Sequence, residues 1–403
     1  MATTSVKHFT SQMTGAPSLS GTTGTLIALL DACLINGFNL VTLDSLVVSG
    51  GVATATKSGG HGYSLHQVVT IAGATPSGLN GEQRVSEILS STQFTFATTE
   101  GDTTASGTIT AKASPVGSWE KAYSGTNTAS YRSTDAASTG HYLYIADDGS
   151  HASGARVAKV RGYANMTDAT DSGTWPFPTV ASAASGWSAL KSYTADSAAM
   201  PWSLVADELM FYFVASPRVF YENAGAALFF GDIKSYRGGD GYQCVLVALD
   251  TNWSVYSSTP SIGCYFLAYL NNIAQRRGML ASRSYTGVGD PIQLSCFGGD
   301  GDQVYSGYGS VGVNIYTYPH PIDGGLWLTK TIAKEDSHDN VRGEWPGVFT
   351  LCHSHVFSPF SVVDGVGENS DRVGMAVQLA QGTSWSNTAY IEYLMDITGP
   401  WRN

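Results

Sequence analysis

From residue 43 to the C-terminus the chain is a succession of short apolar runs cut by glycine-bearing turns. Such runs are too short for helices and are rich in the branched and aromatic side chains that suit a pleated surface. Residues 46–48 lead into Gly50-Gly51, after which 52–56 alternate small apolar with polar side chains. Residues 66–71, 83–89, 92–97 and 107–111 complete a set of five strands, separated by clusters such as Pro76-Ser77-Gly78 and Asn80-Gly81. The expectation is a small antiparallel β-barrel or sandwich over residues 43–114.

A hinge at 115–118 leads into a large β-sandwich-like domain over residues 115–403. Its strand candidates include 141–145, 155–160, 209–214, 244–249, 264–269, 312–318, 326–332, 348–352, 373–379 and 389–395. The run LMFYFV at 209–214 is apolar on both faces and predicts a central strand. The fold class is therefore mainly β, with one short N-terminal helix. That helix is predicted over 25–36, where Leu26, Leu29, Leu30, Cys33 and Leu34 form one stripe. Thr22 or Thr23 is the expected cap, and Asn36-Gly37 the expected stop. Residues 1–21 look extended, so 1–42 reads as an arm plus helix that docks on a neighbouring chain. Deleting 1–40 is then expected to leave a folded, soluble remainder.

Only 13% of residues are charged, against 46 glycines, which excludes a coiled coil, a helical bundle and an acidic disordered chain. The net charge of −11 lacks the basic footprint of a nucleic-acid binder. The apolar stretch 26–35 is too short to span a bilayer and contains Asp31, and the N-terminus is polar, so neither membrane insertion nor a leader is expected. Cys33, Cys244, Cys264, Cys296 and Cys352 are widely spaced and are expected as buried, reduced side chains.

Three stretches carry a resemblance. Residues 6–38 (VKHFTSQMTGAPSLSGTTGTLIALLDACLINGF), 68–96 (VVTIAGATPSGLNGEQRVSEILSSTQFTF) and 117–133 (GSWEKAYSGTNTASYRS) resemble virion structural proteins of tailed bacteriophages, of the tail-tip and baseplate region. The resemblance implies a virion location after assembly in the host cytoplasm, other tail or baseplate proteins as partners, and a homo-oligomer. It implies no catalytic motif. Abundant aromatic residues with few charges suit surfaces buried against other subunits.

Candidate chemistry is sparse. His353 and His355 share a strand face at i, i+2 and are the metal candidates, with His338 and Asp339 upstream, but the pair is incomplete as a zinc site. No cofactor is expected. Acidic turns at 147–149, 300–302 and 364–371 offer oxygens for calcium or simply serve turn geometry. The carboxylates Asp207, Glu208, Glu335, Asp336, Glu392 and Asp396 are the material for a glycosidase pair, with nothing in the sequence to set any two across a cleft. Tyr305, Tyr308, Tyr316, Tyr318 and Trp327, with His320, form an aromatic run interleaved with glycine. Such rings stack sugars or contact a host surface protein when exposed, and pack or assemble when buried. The function expected is a non-enzymatic structural protein of a phage tail tip or baseplate that contributes to host attachment. The alternatives are a receptor-binding protein, a capsid decoration protein and a polysaccharide depolymerase.

Overall fold

The apolar stripe at 26–34 is buried whole: Leu26, Leu29, Leu30, Cys33 and Leu34 are inaccessible to solvent. In the computed structural model the segment is an α-helix over Thr25–Leu30 that relaxes into a π-helical turn over Asp31–Asn36. Gly37 stops it at φ 72°, donating its N–H to the Ala32 carbonyl at 2.8 Å. The described residues are 3–179, 187–216, 225–249, 278–297, 318–335, 340–351, 353, 356–365, 370–380 and 390–402.

The start of the helix departs from expectation. Gly24 occupies the cap with φ 80° and no side chain to offer, so neither Thr22 nor Thr23 caps it. The cap is supplied from far along the chain: the Asp147 carboxylate accepts the Leu26 N–H at 2.9 Å. Its other oxygen pairs with the Lys191 ammonium, which also donates to the Thr22 carbonyl at 2.6 Å. Asp147 and Lys191 side chains are both fully buried. The acidic turn at 147–149 is thus a helix cap on its Asp147 side, and its second carboxylate, Asp148, accepts the Ser150 N–H at 2.9 Å.

Residues 38–113 form a two-sheet sandwich rather than a closed barrel. One sheet runs Phe38–Thr42, Thr110–Ala113, Val68–Ala72, Gly81–Arg84; the other runs Glu87–Ser90, Gln93–Ala97, Val52–Thr56, Ser45–Ser49, Thr103–Thr104. Leu46, Val48, Val69, Ile71, Phe94 and Phe96 meet between them. The single strand expected at 83–89 is two strands in different sheets. The chain crosses at buried Val85, whose N–H goes to the carbonyl of Gln67, just ahead of Val68–Ala72 of the first sheet, while Ser86 N–H goes to Thr95 in the second.

Residues beyond 115 build three β layers. A six-stranded sheet formed by Trp119–Gly125, Thr128–Ser133, Tyr142–Ala146, Val157–Asn165, Thr174–Phe177 and Trp187–Leu190 covers one face of a thirteen-stranded sheet. The long sheet folds back so that its C-terminal strands, including Leu328–Glu335, Asn340–Leu351, Val373–Ala380 and Tyr390–Asp396, cover the other face. Met210–Ala215 shows why. Phe211 and Phe213 pack with Trp119, Phe177 and the helix, whereas Tyr212 and Val214 pack with Trp345, Val377 and Tyr393. A strand covered on both sides needs the unbroken apolar run the sequence displays.

The extended arm is part of this core. Lys7–Thr10 is the first strand of the long sheet, antiparallel to Trp202–Ala206 with Phe9 opposite Leu204. Val6 and Phe9 are buried, and the Arg84 guanidinium ties the arm to both ends of the chain through the carbonyls of Thr3 (2.8 Å), Val6 (2.9 Å) and Ile397 (3.0 Å). The arm expected to lie on a neighbour lies on its own chain, because alternate arm residues find an unpaired strand edge there. Cys33, Cys244 and Cys296 are buried free thiols, as expected; Cys264 and Cys352 lie outside the described residues.

Two buried histidines give the fold a pH dependence. Burial, then Arg84 and His66, depress His8 to about 3, and burial depresses His141 to about 4. The unfolded chain takes up those protons near pH 6.5 while the folded chain refuses them, so stability is complete above about pH 6.5 and falls as pH drops toward 4. Each histidine withdraws about 2 kcal/mol by pH 5. Asp232, whose carboxyl burial raises, acts in the opposite sense. The expected result is a lower urea midpoint at pH 5 than at pH 7; equal midpoints would mean these imidazoles are solvated.

Candidate functional site

The strand Leu328–Glu335 begins just after a tight turn that gathers the aromatic residues singled out in the sequence. Asp323 closes the turn by accepting the Gly325 N–H at 2.8 Å, and His320 exchanges backbone hydrogen bonds with Gly324 and Gly325. Trp327 is then held at three points. Its ring stacks on His320 with centroids 4.0 Å apart, its indole N–H donates to Asp323 Oδ2 at 2.9 Å, and its backbone N–H donates to His353 Nε2 at 2.7 Å. Tyr318 packs edge-on against His353 at 5.8 Å. Trp327 nevertheless leaves 39% of its surface open to solvent, and Tyr318 49%.

A tryptophan whose ring is held by one stack and one hydrogen bond presents an apolar face that loses less rotamer freedom on binding than an unrestrained ring would. Asp323, half exposed beside it, is a ready acceptor for hydroxyl groups. The indole N–H and His320 Nδ1 hold its carboxyl below the usual range, after the larger effect of the Gly325 backbone N–H. Leu326 and Leu328 also line a cleft of about 180 Å³, whose wall joins Phe349, Val363, Val373 and Leu394 to the charged Lys330, Asp364, Arg372 and Asp396.

The sequence candidates divide accordingly. Tyr318, His320, Trp327 and His353 are brought together; Tyr305, Tyr308, Tyr316 and His355 lie outside the described residues, as do His338 and Asp339. His353 is fully buried, and the Nε2 lone pair a metal would need accepts the Trp327 amide. Among the described residues no group of three or more His, Cys, Asp or Glu is placed to hold a metal.

The carboxylates considered for hydrolysis are mostly committed elsewhere. Glu392 accepts the N–H groups of Val356 and Phe357 at 2.9 and 3.1 Å, and Asp396 pairs with Arg372 at 2.6 Å. Asp207 accepts the N–H groups of Leu209 and Met210 and pairs with Arg402 at 3.0 Å. Burial, then Asp207, raises the Glu208 carboxyl. Asp336 and the turn at 300–302 lie outside the described residues, as does 366–369 within the third acidic turn. Asp323 escaped the sequence reading, although the Asp-Gly-Gly that follows Tyr318-Pro319-His320 was its signal.

What the fold and site define is a mainly β protein with a rigid, exposed aromatic platform. No family model matches the chain, and no curated protein matches it. Among solved structures it is similar to the phage phi92 endosialidase, with 10% identity over 90% of this chain and 52% of that one, and a TM-score of 0.16. The chain spans about half the length of that protein, and a TM-score this low does not establish a shared fold.

Proposed function

We propose that the chain is a non-enzymatic structural protein of a tailed-phage particle, in the tail-tip or baseplate region, and that it touches a saccharide of the host surface through Trp327 and Tyr318. The observation that carries the contact is the Trp327 ring, held by a stack and an indole hydrogen bond, with its backbone tied to His353, yet open to solvent. A buried core gains nothing from an exposed ring, whereas a binding face gains pre-organisation. The resemblance of residues 6–38, 68–96 and 117–133 supports the particle setting. Exposed Leu40, Val47, Val52, Ile88 and Leu89 on the small sandwich support contact with other copies or with neighbouring tail proteins.

The test is binding of the full chain to an array of neutral bacterial-type oligosaccharides. Trp327→Ala is expected to lower retention on the sugars bound by the wild type at least about tenfold, the equivalent of 1.4 kcal/mol. Retention unchanged in that variant, or no saturable binding by either protein, would count against the reading.

A further inference from the structure

A second aromatic surface stands apart from Trp327 and pairs each ring with an arginine. The Arg283 guanidinium carbon lies 3.5 Å from the Trp175 ring centroid, and that of Arg237 lies 3.8 Å from the Tyr285 centroid. Trp175 is 51% exposed and Tyr285 40% exposed, so neither ring is filling a core. The four residues come from one strand, Thr174–Phe177, and two loops, which follow Lys234–Ser235 and Met279–Ala281.

Buried Arg342 fixes those loops. Its guanidinium pairs with Asp240 and Glu335 and also donates to the carbonyls of Arg283 and Tyr242, each at 3.1 Å. Its own carbonyl accepts the Tyr236 N–H at 3.0 Å. Both arginine–ring pairs are therefore mounted on backbone held from beneath, which is how a recognition surface is kept in register.

A guanidinium has five N–H donors in its plane, more than a contact between its carbon and a ring face uses. Arg283 uses one N–H on the Gly289 carbonyl. Among the described residues neither Arg237 nor Arg283 is ion-paired: Asp240 and Glu335 serve Arg342, and Glu344 serves Lys234 and Lys330. The exposed acid on the same loop is Asp290. In a chain of net charge −11, two guanidiniums with no carboxylate partner among the described residues lie on these two loops. A planar carboxylate fits such a fork with two parallel hydrogen bonds, and the ring face opposite each guanidinium is the one that suits the C–H face of a sugar.

We propose that Trp175, Arg237, Arg283 and Tyr285 form a second binding site, for a carboxylate-bearing saccharide. It goes beyond the Trp327 reading in residues and in ligand charge. The strand between the two places, Leu328–Glu335, has eight residues and so runs roughly 26 Å at about 3.3 Å per residue.

The probe is an oligogalacturonate titrated into the full chain, with its methyl ester as the neutral counterpart and a single-stranded oligonucleotide as the competing polyanion. The expected result is saturable binding of the acid, weakened at least about tenfold by methylation and by Arg237→Gln, and unchanged in Trp327→Ala. Arg237 is exposed, so its substitution leaves the melting temperature in place; Arg237→Lys, which keeps charge and loses the fork, is expected to bind in between. Equal binding of acid and ester, wild-type binding by Arg237→Gln, tighter binding of the oligonucleotide, or no saturable binding of the acid would each overturn the proposal. Failure here with Trp327-dependent binding intact would leave the first reading standing.

Discussion

Arg342→Met is expected to cost about 3–5 kcal/mol of stability, the usual penalty for orphaning one side of a buried ion pair. The Arg342, Asp240 and Glu335 side chains are almost wholly out of solvent, with guanidinium–carboxylate distances of 2.5 to 2.9 Å. Removing the cation leaves two carboxylates that burial has already stripped of water. The loops carrying Arg237 and Arg283 would lose side-chain support in the same step, because the guanidinium also donates to the carbonyls of Tyr242 and Arg283. Replacing all three members by apolar residues of similar volume should recover most of the loss, since the desolvation penalty goes with the charges. Urea unfolding of the single and triple variants measures both. A single variant within about 1 kcal/mol of wild type would mean that water reaches the cluster.

Deleting residues 1–40 is expected to abolish cooperative folding. The deletion removes Val6, Phe9, Leu19, Leu26, Leu29, Leu30, Cys33 and Leu34, all buried, and strips the partner strand from Trp202–Ala206. Truncating even one such aliphatic residue to alanine costs about 2–5 kcal/mol, against a total stability of about 5–15 kcal/mol. This reverses the expectation that the N-terminus is a detachable arm. Circular dichroism and a thermal melt of 41–403 decide it: a sharp transition at the wild-type temperature would show that the arm is peripheral after all.

What could be read in advance was whatever repeats at short range. The i, i+3, i+4 stripe marked the helix, strict alternation marked Val52–Thr56 to the residue, and the doubly apolar run marked Met210–Ala215 as central. What could not be read depends on partners distant in the chain. No local pattern tells that Asp147 caps a helix more than a hundred residues upstream, nor that Lys7–Thr10 completes a sheet begun near residue 200. The switch at Val85 also hides, because both of its flanks look equally strand-like. The same division holds for the sites. Trp327 and Tyr318 stood out as aromatics near a glycine-rich turn, whereas Trp175, Arg237, Arg283 and Tyr285 meet only through folding.

The contact assigned to Trp327 is tested most directly by adsorption. On the proposal that the chain belongs to a tailed-phage particle, purified protein added in excess to host cells ahead of that phage is expected to slow phage attachment, and the Trp327→Ala protein at the same concentration is expected not to. Attachment slowed equally by both proteins, or by neither, would contradict the account.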